Sequence, residues 1–282
     1  MAIAVSEAQR ALPIGVFDSG VGGLTVLAAL EAALPGERFL YLGDTARLPY
    51  GTKSPASVVR YASQCARLLV GRGIKALVVA CNTAASAALP ALAAELPALP
   101  LVGVVGPGAA AAVAATRSRH IAVIATEGTI RAGAYQSAIA ALSPGARVTA
   151  IGCSVFVALA EEGWTEGPIV ELTARRYLDA TFTAPDAPDT LLLGCTHFPV
   201  LARTLQAVLP PGVRRVDSAA TTARAVAQLL EERRLRRTGQ SPAAADGRTQ
   251  FLATDGPERF ARTGSIFLGR ALAGRDVELV DV

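Results

Sequence analysis

Two stretches of the chain follow one pattern. Ala76-Leu77-Val78-Val79-Ala80-Cys81-Asn82-Thr83 is an apolar run, a small residue, a cysteine and two polar residues. Thr190-Leu191-Leu192-Leu193-Gly194-Cys195-Thr196-His197 repeats that order. A free thiol titrates near about 8.5, and a helix N-terminus or a nearby cation lowers this. Each cysteine could therefore be a nucleophile or a proton-transfer base. Cysteine also ends buried strands for packing reasons alone, so the repeat by itself leaves both readings open. One activated cysteine with a histidine suits hydrolysis or acyl transfer. Two equivalent cysteines facing one cavity suit inversion at carbon. One thiolate removes a proton from one face and the opposite thiol supplies one to the other, with the roles exchanged in reverse.

His197, one of two histidines, stands two residues beyond Cys195. It could bond the thiol or a substrate carboxylate, or supply a cation that favours thiolate. It could equally be a capping or core histidine. His120 opens an apolar run and reads as structural. Asp18 follows an apolar run in Val16-Phe17-Asp18-Ser19-Gly20-Val21-Gly22-Gly23. This is not a dinucleotide or phosphate loop, because the full glycine spacing and the Lys-Ser/Thr pair are missing. Asp18 could bind an ammonium group, exchange a proton with a thiol, or cap the next helix. The glycines permit close backbone approach. Leu42-Gly43-Asp44-Thr45-Ala46-Arg47-Leu48-Pro49-Tyr50-Gly51-Thr52-Lys53 reads as strand, then a rigid turn with exposed N–H groups. Thr126 and Thr129 could serve a carboxylate or cap a helix.

The elements that would carry these residues read as α/β. Of the 282 residues, 51% are hydrophobic and 18% charged, which suits a globular chain of about two domains. Strand candidates are 14–17, 38–42, 76–80, 101–105, 120–125, 147–151, 190–193, 213–216, 249–253 and 277–280. Most are continuous apolar runs, as in buried parallel sheets. Helix-like stretches, such as 55–70, 128–142 and 218–237, separate them. Ligands bind beyond the carboxyl ends of strands in such sheets, which is where both cysteines fall. Residues 239–247, rich in Pro, Ala and Gly, read as a surface loop.

Several classes of function are disfavoured. The net charge of +4 rests largely on arginine, with a run at Arg233-Arg234-Leu235-Arg236-Arg237. That run follows Glu231 and Glu232 and reads as a solvated helix end, its cations placed for the dipole. No aromatics interleave with it, so no nucleic-acid partner is expected. A pyridoxal enzyme needs a Schiff-base lysine. Of Lys53 and Lys75, the second lies at the wrong end of its strand and the first has no phosphate loop. Cys195-Thr196-His197 lacks zinc spacing. No cofactor and no metal are expected. Four cysteines are too few for a disulfide scaffold, and no secretory or membrane-spanning pattern is visible. A cytoplasmic protein with free thiols is expected.

These motifs together resemble the glutamate racemase family of bacterial cell-wall synthesis. The matching segments are Phe17–Gly23, Gly43–Gly51, Ala80–Ala84, Ala125–Thr129 and Gly194–His197, in the family's order, within roughly 14–237. The resemblance implies two similar α/β lobes, each a mostly parallel sheet flanked by helices, with the site in the cleft between them. The lobes are expected at 1–100 with 213–282, and at 101–212. It implies Cys81 and Cys195 as the acid/base pair, supported by Asp18 and His197. Ser19, Tyr50, Gly51, Asn82, Thr83 and Thr196 would bind the amino acid, with Thr126 and Thr129 beside them. A family glutamate falls at Glu161 or its neighbour Glu162. The implied activity is cofactor-independent interconversion of L- and D-glutamate, supplying D-glutamate for peptidoglycan. A homodimer is the one macromolecular partner admitted. Phe198 stands where the family usually has tyrosine. Cys153-Ser154-Val155-Phe156 replaces a more common Cys-Pro-Leu-Phe. Only about a dozen residues precede the first strand, so regulation through an N-terminal extension is not expected. An aspartate or broad-specificity racemase and a non-catalytic binding protein are the alternatives.

Overall fold

The computed structural model describes residues 5–238 and 248–282. Ten strands form where the apolar runs lie: β1 Ile14–Asp18, β2 Phe39–Gly43, β3 Ala76–Val79, β4 Leu101–Gly103, β5 His120–Ala125, β6 Arg147–Gly152, β7 Thr190–Gly194, β8 Arg214–Asp217, β9 Thr249–Ala253 and β10 Val277–Leu279. They divide into two sheets, ordered β10-β9-β2-β1-β3-β4 and β6-β5-β7-β8. Every pairing is parallel. The central strands β1, β3, β5 and β7 are buried along their whole length. The edge strands β6 and β8 are largely part-exposed or exposed. Helices cover both faces of the central strands, which is why their sequences show no polar alternation. Each fully buried leucine here, such as Leu77 or Leu192, contributes about 1.5–3 kcal/mol by leaving water.

Strand membership corrects the expected lobe boundaries. Residues 101–103 pair with β3 and belong to the first sheet. Residues 214–217 pair with β7 and belong to the second. Both boundaries were expected one strand too early, because a short apolar strand carries no mark of which sheet it joins. The helices that follow these strands, Val105–Ala115 and Ser218–Glu232, pack on one another, and Ser218–Glu232 also packs on Leu24–Ala33 of the first lobe.

Two helix expectations are also corrected. The stretch 128–142 is two helices, Glu127–Ala132 and Ala134–Leu142. They meet at Gly133, whose φ of 67° is left-handed and breaks the run. The stretch 218–237 stops at Glu232. Arg234 then turns with φ 56°, and the Leu235 N–H reaches back to the Leu230 carbonyl at 2.7 Å. The arginine run thus lies beyond the helix. The loop expected over 239–247 falls outside the described residues.

Register brings the chemistry to one level. Asp18 pairs with Gly43 and Phe17 with Val79. Asp18, Asp44 and Cys81 therefore leave the first sheet at neighbouring points of its carboxyl edge. In the second sheet Ala125 pairs with both Gly152 and Gly194, which aligns Thr126, Cys153 and Cys195.

Candidate active site

The two carboxyl edges share a cavity of about 310 Å³. Cys81 enters it from the first lobe and Cys195 from the second. Ser19, Tyr50, Gly51, Asn82 and Thr83 line the first-lobe wall. Thr126, Glu161, Thr196 and His197 line the other. Two of the expected residues, Asp18 and Thr129, are not on the wall; they are buried just behind it.

Cys81 is the N-cap of helix Asn82–Glu95. The Ala84 N–H donates to its sulfur at 3.4 Å, and its thiol donates to Ser19 Oγ at 3.3 Å. No cation touches it. Burial, with the Asp18 charge, pushes its titration up to about 12, against the pull of these two bonds. Asp18 is itself fully buried, and burial raises it above the usual carboxylate range. One oxygen accepts from the Gly20 N–H at 2.9 Å; the other has no protein partner.

Cys195 lies 3.8 Å from His197 Nδ1, and the other ring nitrogen lies 3.0 Å from Glu161 Oε1. Burial alone would lower the titration of His197. The bonds to Cys195 and Glu161, with the charges of Cys195 and Asp18, outweigh it and push the imidazole up to about 10. His197 is therefore a cation at neutral pH. Burial would raise Glu161, but the bond and charge of His197, with the charge of Arg259, hold it below the usual range. Of the glutamate doublet, Glu161 is the one that reaches His197, while Glu162 is exposed. The Phe267 ring stands edge-on to His197 with centroids 5.0 Å apart.

Hydroxyls and glycines close the seam between the lobes. Thr83 Oγ1 lies 3.1 Å from both Thr126 Oγ1 and Thr129 Oγ1. Thr25 donates to the Thr196 carbonyl at 3.0 Å. The Asn82 amide nitrogen donates to the Tyr135 hydroxyl at 2.6 Å and the Gly194 carbonyl at 3.3 Å, and its oxygen accepts from the Thr196 N–H at 3.2 Å. Asn82 thus grips the backbone on both sides of Cys195. A Cβ on Gly22 would sit 2.4 Å from His197 Nδ1 and 2.5 Å from Thr196 Oγ1, so only glycine lets the lobes meet there. Tyr50 donates to the buried Asp44 carboxylate, which Arg47 also binds at 2.7 Å. This braces the turn at Tyr50–Thr52.

Sequence reading missed part of the wall. Ser154, Val157 and Ala158 line the cavity beside Glu161. Their spacing of three and four places them on one face of helix Val155–Glu161, and that periodicity was the available signal. Ser154 also accepts from the Glu127 N–H at 3.3 Å. Phe198 is buried edge-on against Phe156, with centroids 5.4 Å apart. Lys75 is buried in an ion pair with Glu37 at 2.5 Å, at the amino end of β3. Among the described residues, no group of three or more His, Cys, Asp or Glu side chains is placed to hold a metal ion. No helix among them is long and apolar enough to cross a membrane.

Two parallel α/β sheets with a polar, thiol-bearing cleft at their carboxyl edges define the class. The Asp/Glu/hydantoin racemase family model matches residues 14–226, and the chain belongs to that family. It is 50% identical over 259 residues to a glutamate racemase of Geobacter metallireducens, covering 92% of this chain and 93% of that one. Its fold is similar to a glutamate racemase of Francisella tularensis solved with D-glutamate, with TM-score 0.87, 34% identity, and coverage of 96% and 98%. A glutamate racemase of Bacillus anthracis gives TM-score 0.89 at 33% identity, covering 97% and 98%.

Proposed function

We propose that this chain is a glutamate racemase that interconverts L- and D-glutamate by proton transfer between Cys81 and Cys195. The observation that carries the reading is one cavity with a thiol from each lobe. High identity to curated glutamate racemases over nearly the whole chain supports the substrate.

The α-proton of an amino acid is very weakly acidic, so charge developing on the carboxylate must be met by preorganised donors. Hydroxyls of Ser19, Thr83, Thr126 and Thr196, the Asn82 amide and the backbone N–H groups at Tyr50–Gly51 supply them. Thr129 acts through Thr83 and Thr126. One sulfur, as thiolate, takes the α-hydrogen as a proton and its C–H electron pair stays on carbon. The opposite thiol then gives its proton to the other face of that carbon. Cys195 has the His197 imidazole beside it; Cys81 has no cation beside it and holds its proton. Asp18 serves proton exchange at Cys81; His197, oriented by Glu161, serves Cys195. Each turnover leaves the two thiols with exchanged protonation, ready for the reverse reaction or for reset by solvent. The product D-glutamate would feed peptidoglycan synthesis in the cytoplasm, and the reading includes a homodimer.

The test is incubation of purified protein with L-glutamate in heavy water and no added cofactor. Optical activity should decay with deuterium entering the α-position. Decay with aspartate but not glutamate would replace the substrate. Folded protein that exchanges neither would leave a binding protein on the same fold.

A further inference from the structure

Glu161 stands between two environments. Inside, it meets His197. Outside, it lines two surface clefts whose charged members are Asp255, Arg259, Glu162 and Arg262. Of these, Arg259 makes contact: its guanidinium lies 3.3 Å from Glu161 Oε2. Arg259 belongs to helix Pro257–Leu268, which packs on Leu24–Ala33 of the first lobe. Glu161 and His197 belong to the second. Among the ion pairs of the described residues, this is the one that joins the two sheets' lobes. The same helix places Phe267 against the His197 ring. It lies outside the segment matched by the family model.

We propose that Arg259 is a positioning residue for the Cys195 half of the site, holding Glu161 from across the cleft and, through Glu161, orienting His197 against the sulfur. The arrangement is a row of alternating charge: sulfur, imidazolium, carboxylate, guanidinium. Each interior member has a partner on both sides. Removing the outermost cation leaves Glu161 with His197 alone and frees it to rotate. Because Arg259 and Glu161 sit in different lobes, their contact exists only with the lobes this close. The row is therefore complete only with the lobes at this separation. The Arg259 side chain is 63% exposed, so substituting it removes no core packing and the fold is expected to stand.

The inference rests on the two-thiol reading, and the unmodified chain tests that first: without racemisation both fall. Given racemisation, Arg259→Gln should lower kcat by about two- to fivefold, the range of a partly exposed ion pair. KM should move less. Enantiomers have equal free energy, so kcat/KM must fall equally in both directions. The acid limb of the pH profile should move to higher pH, since Glu161 has lost a cation; a purely structural role would leave it in place. Arg259→Lys should recover most of the loss. On a Glu161→Gln background, Arg259→Gln should cost nothing further. An unchanged rate and limb in Arg259→Gln, or the same loss persisting without Glu161, would overturn the inference while leaving the racemase reading intact.

Discussion

The two cysteines occupy equivalent places in two similar sheets, yet their surroundings differ. Cys81 follows β3 and caps a fourteen-residue helix, Asn82–Glu95. Its neighbours are a serine, a backbone N–H and the charge of a buried aspartate. Cys195 follows β7, and a turn leads to the short 3-10 helix Phe198–Leu201. Its neighbour is a charged imidazole backed by a carboxylate and a guanidinium. A sulfur needs opposite protonation states in the two directions of a racemisation. The fold supplies a buried, cation-free surrounding on one side and an imidazole backed by a carboxylate on the other. Symmetry of position is thus combined with asymmetry of surroundings.

Four changes would break or sharpen this contrast. Cys81→Ser and Cys195→Ser should each lower racemisation about a thousandfold or more, because a hydroxyl cannot take either role at neutral pH. Chiral analysis of either product mixture checks this, and near wild-type activity in one variant would remove that sulfur from the scheme. Gly22→Ala should come next, at about 10- to 100-fold in kcat/KM, since the new Cβ must displace His197 or Thr196. Gly36→Ala, where a Cβ meets open space, is the matched control and should change nothing.

The third change concerns pH. Unfolded, an imidazole loses its proton near about 6.5; folded, His197 keeps it up to about 10. The stability from its ion pairing is complete below the lower value. It is lost as pH rises to the upper one. The burial-raised thiols of Cys65, Cys81 and Cys153, each at about 12, add a further loss above their ordinary range. Denaturant midpoints should therefore fall from near-neutral to alkaline pH, and His197→Asn should flatten the part between about 6.5 and 10. An equal slope in that variant would remove His197 as the source. Smallest of all, Ser19→Ala should cost about two- to tenfold in rate, the range of one neutral hydrogen bond to sulfur. A steady-state assay in both directions measures it.

Much of this molecule is written locally. All ten strands form at the expected segments, and the central ones read most clearly, because a strand buried on both faces needs apolar residues at every position and little else resembles that. Both cysteines are placed by the same logic, since a residue that ends a buried parallel strand must emerge at the carboxyl edge. The glycines of the 20–23 loop read as permitting close backbone approach; that Gly22 meets His197 and Thr196 of the other lobe is visible only in the fold. What the linear pattern could not hold is pairing between distant segments. β4 and β8 joined the sheets opposite to expectation because sheet membership is decided by packing partners, not by the strand's own residues. Glu161 and Glu162 are chemically identical in sequence; a helical rotation of about 100° per residue sends one inward and the other to solvent. Asn82 reads as a ligand group, but its bonds to Gly194 and Thr196 make it a clamp across the lobes. Arg259 is one of many arginines until the fold sets it beside Glu161. The sequence by itself placed both cysteines at the carboxyl ends of their strands. The tertiary structure decided what backs the imidazole beside Cys195, Glu161 and then Arg259, because electrostatic environment is a sum over neighbours in space, and those neighbours are distant along the chain.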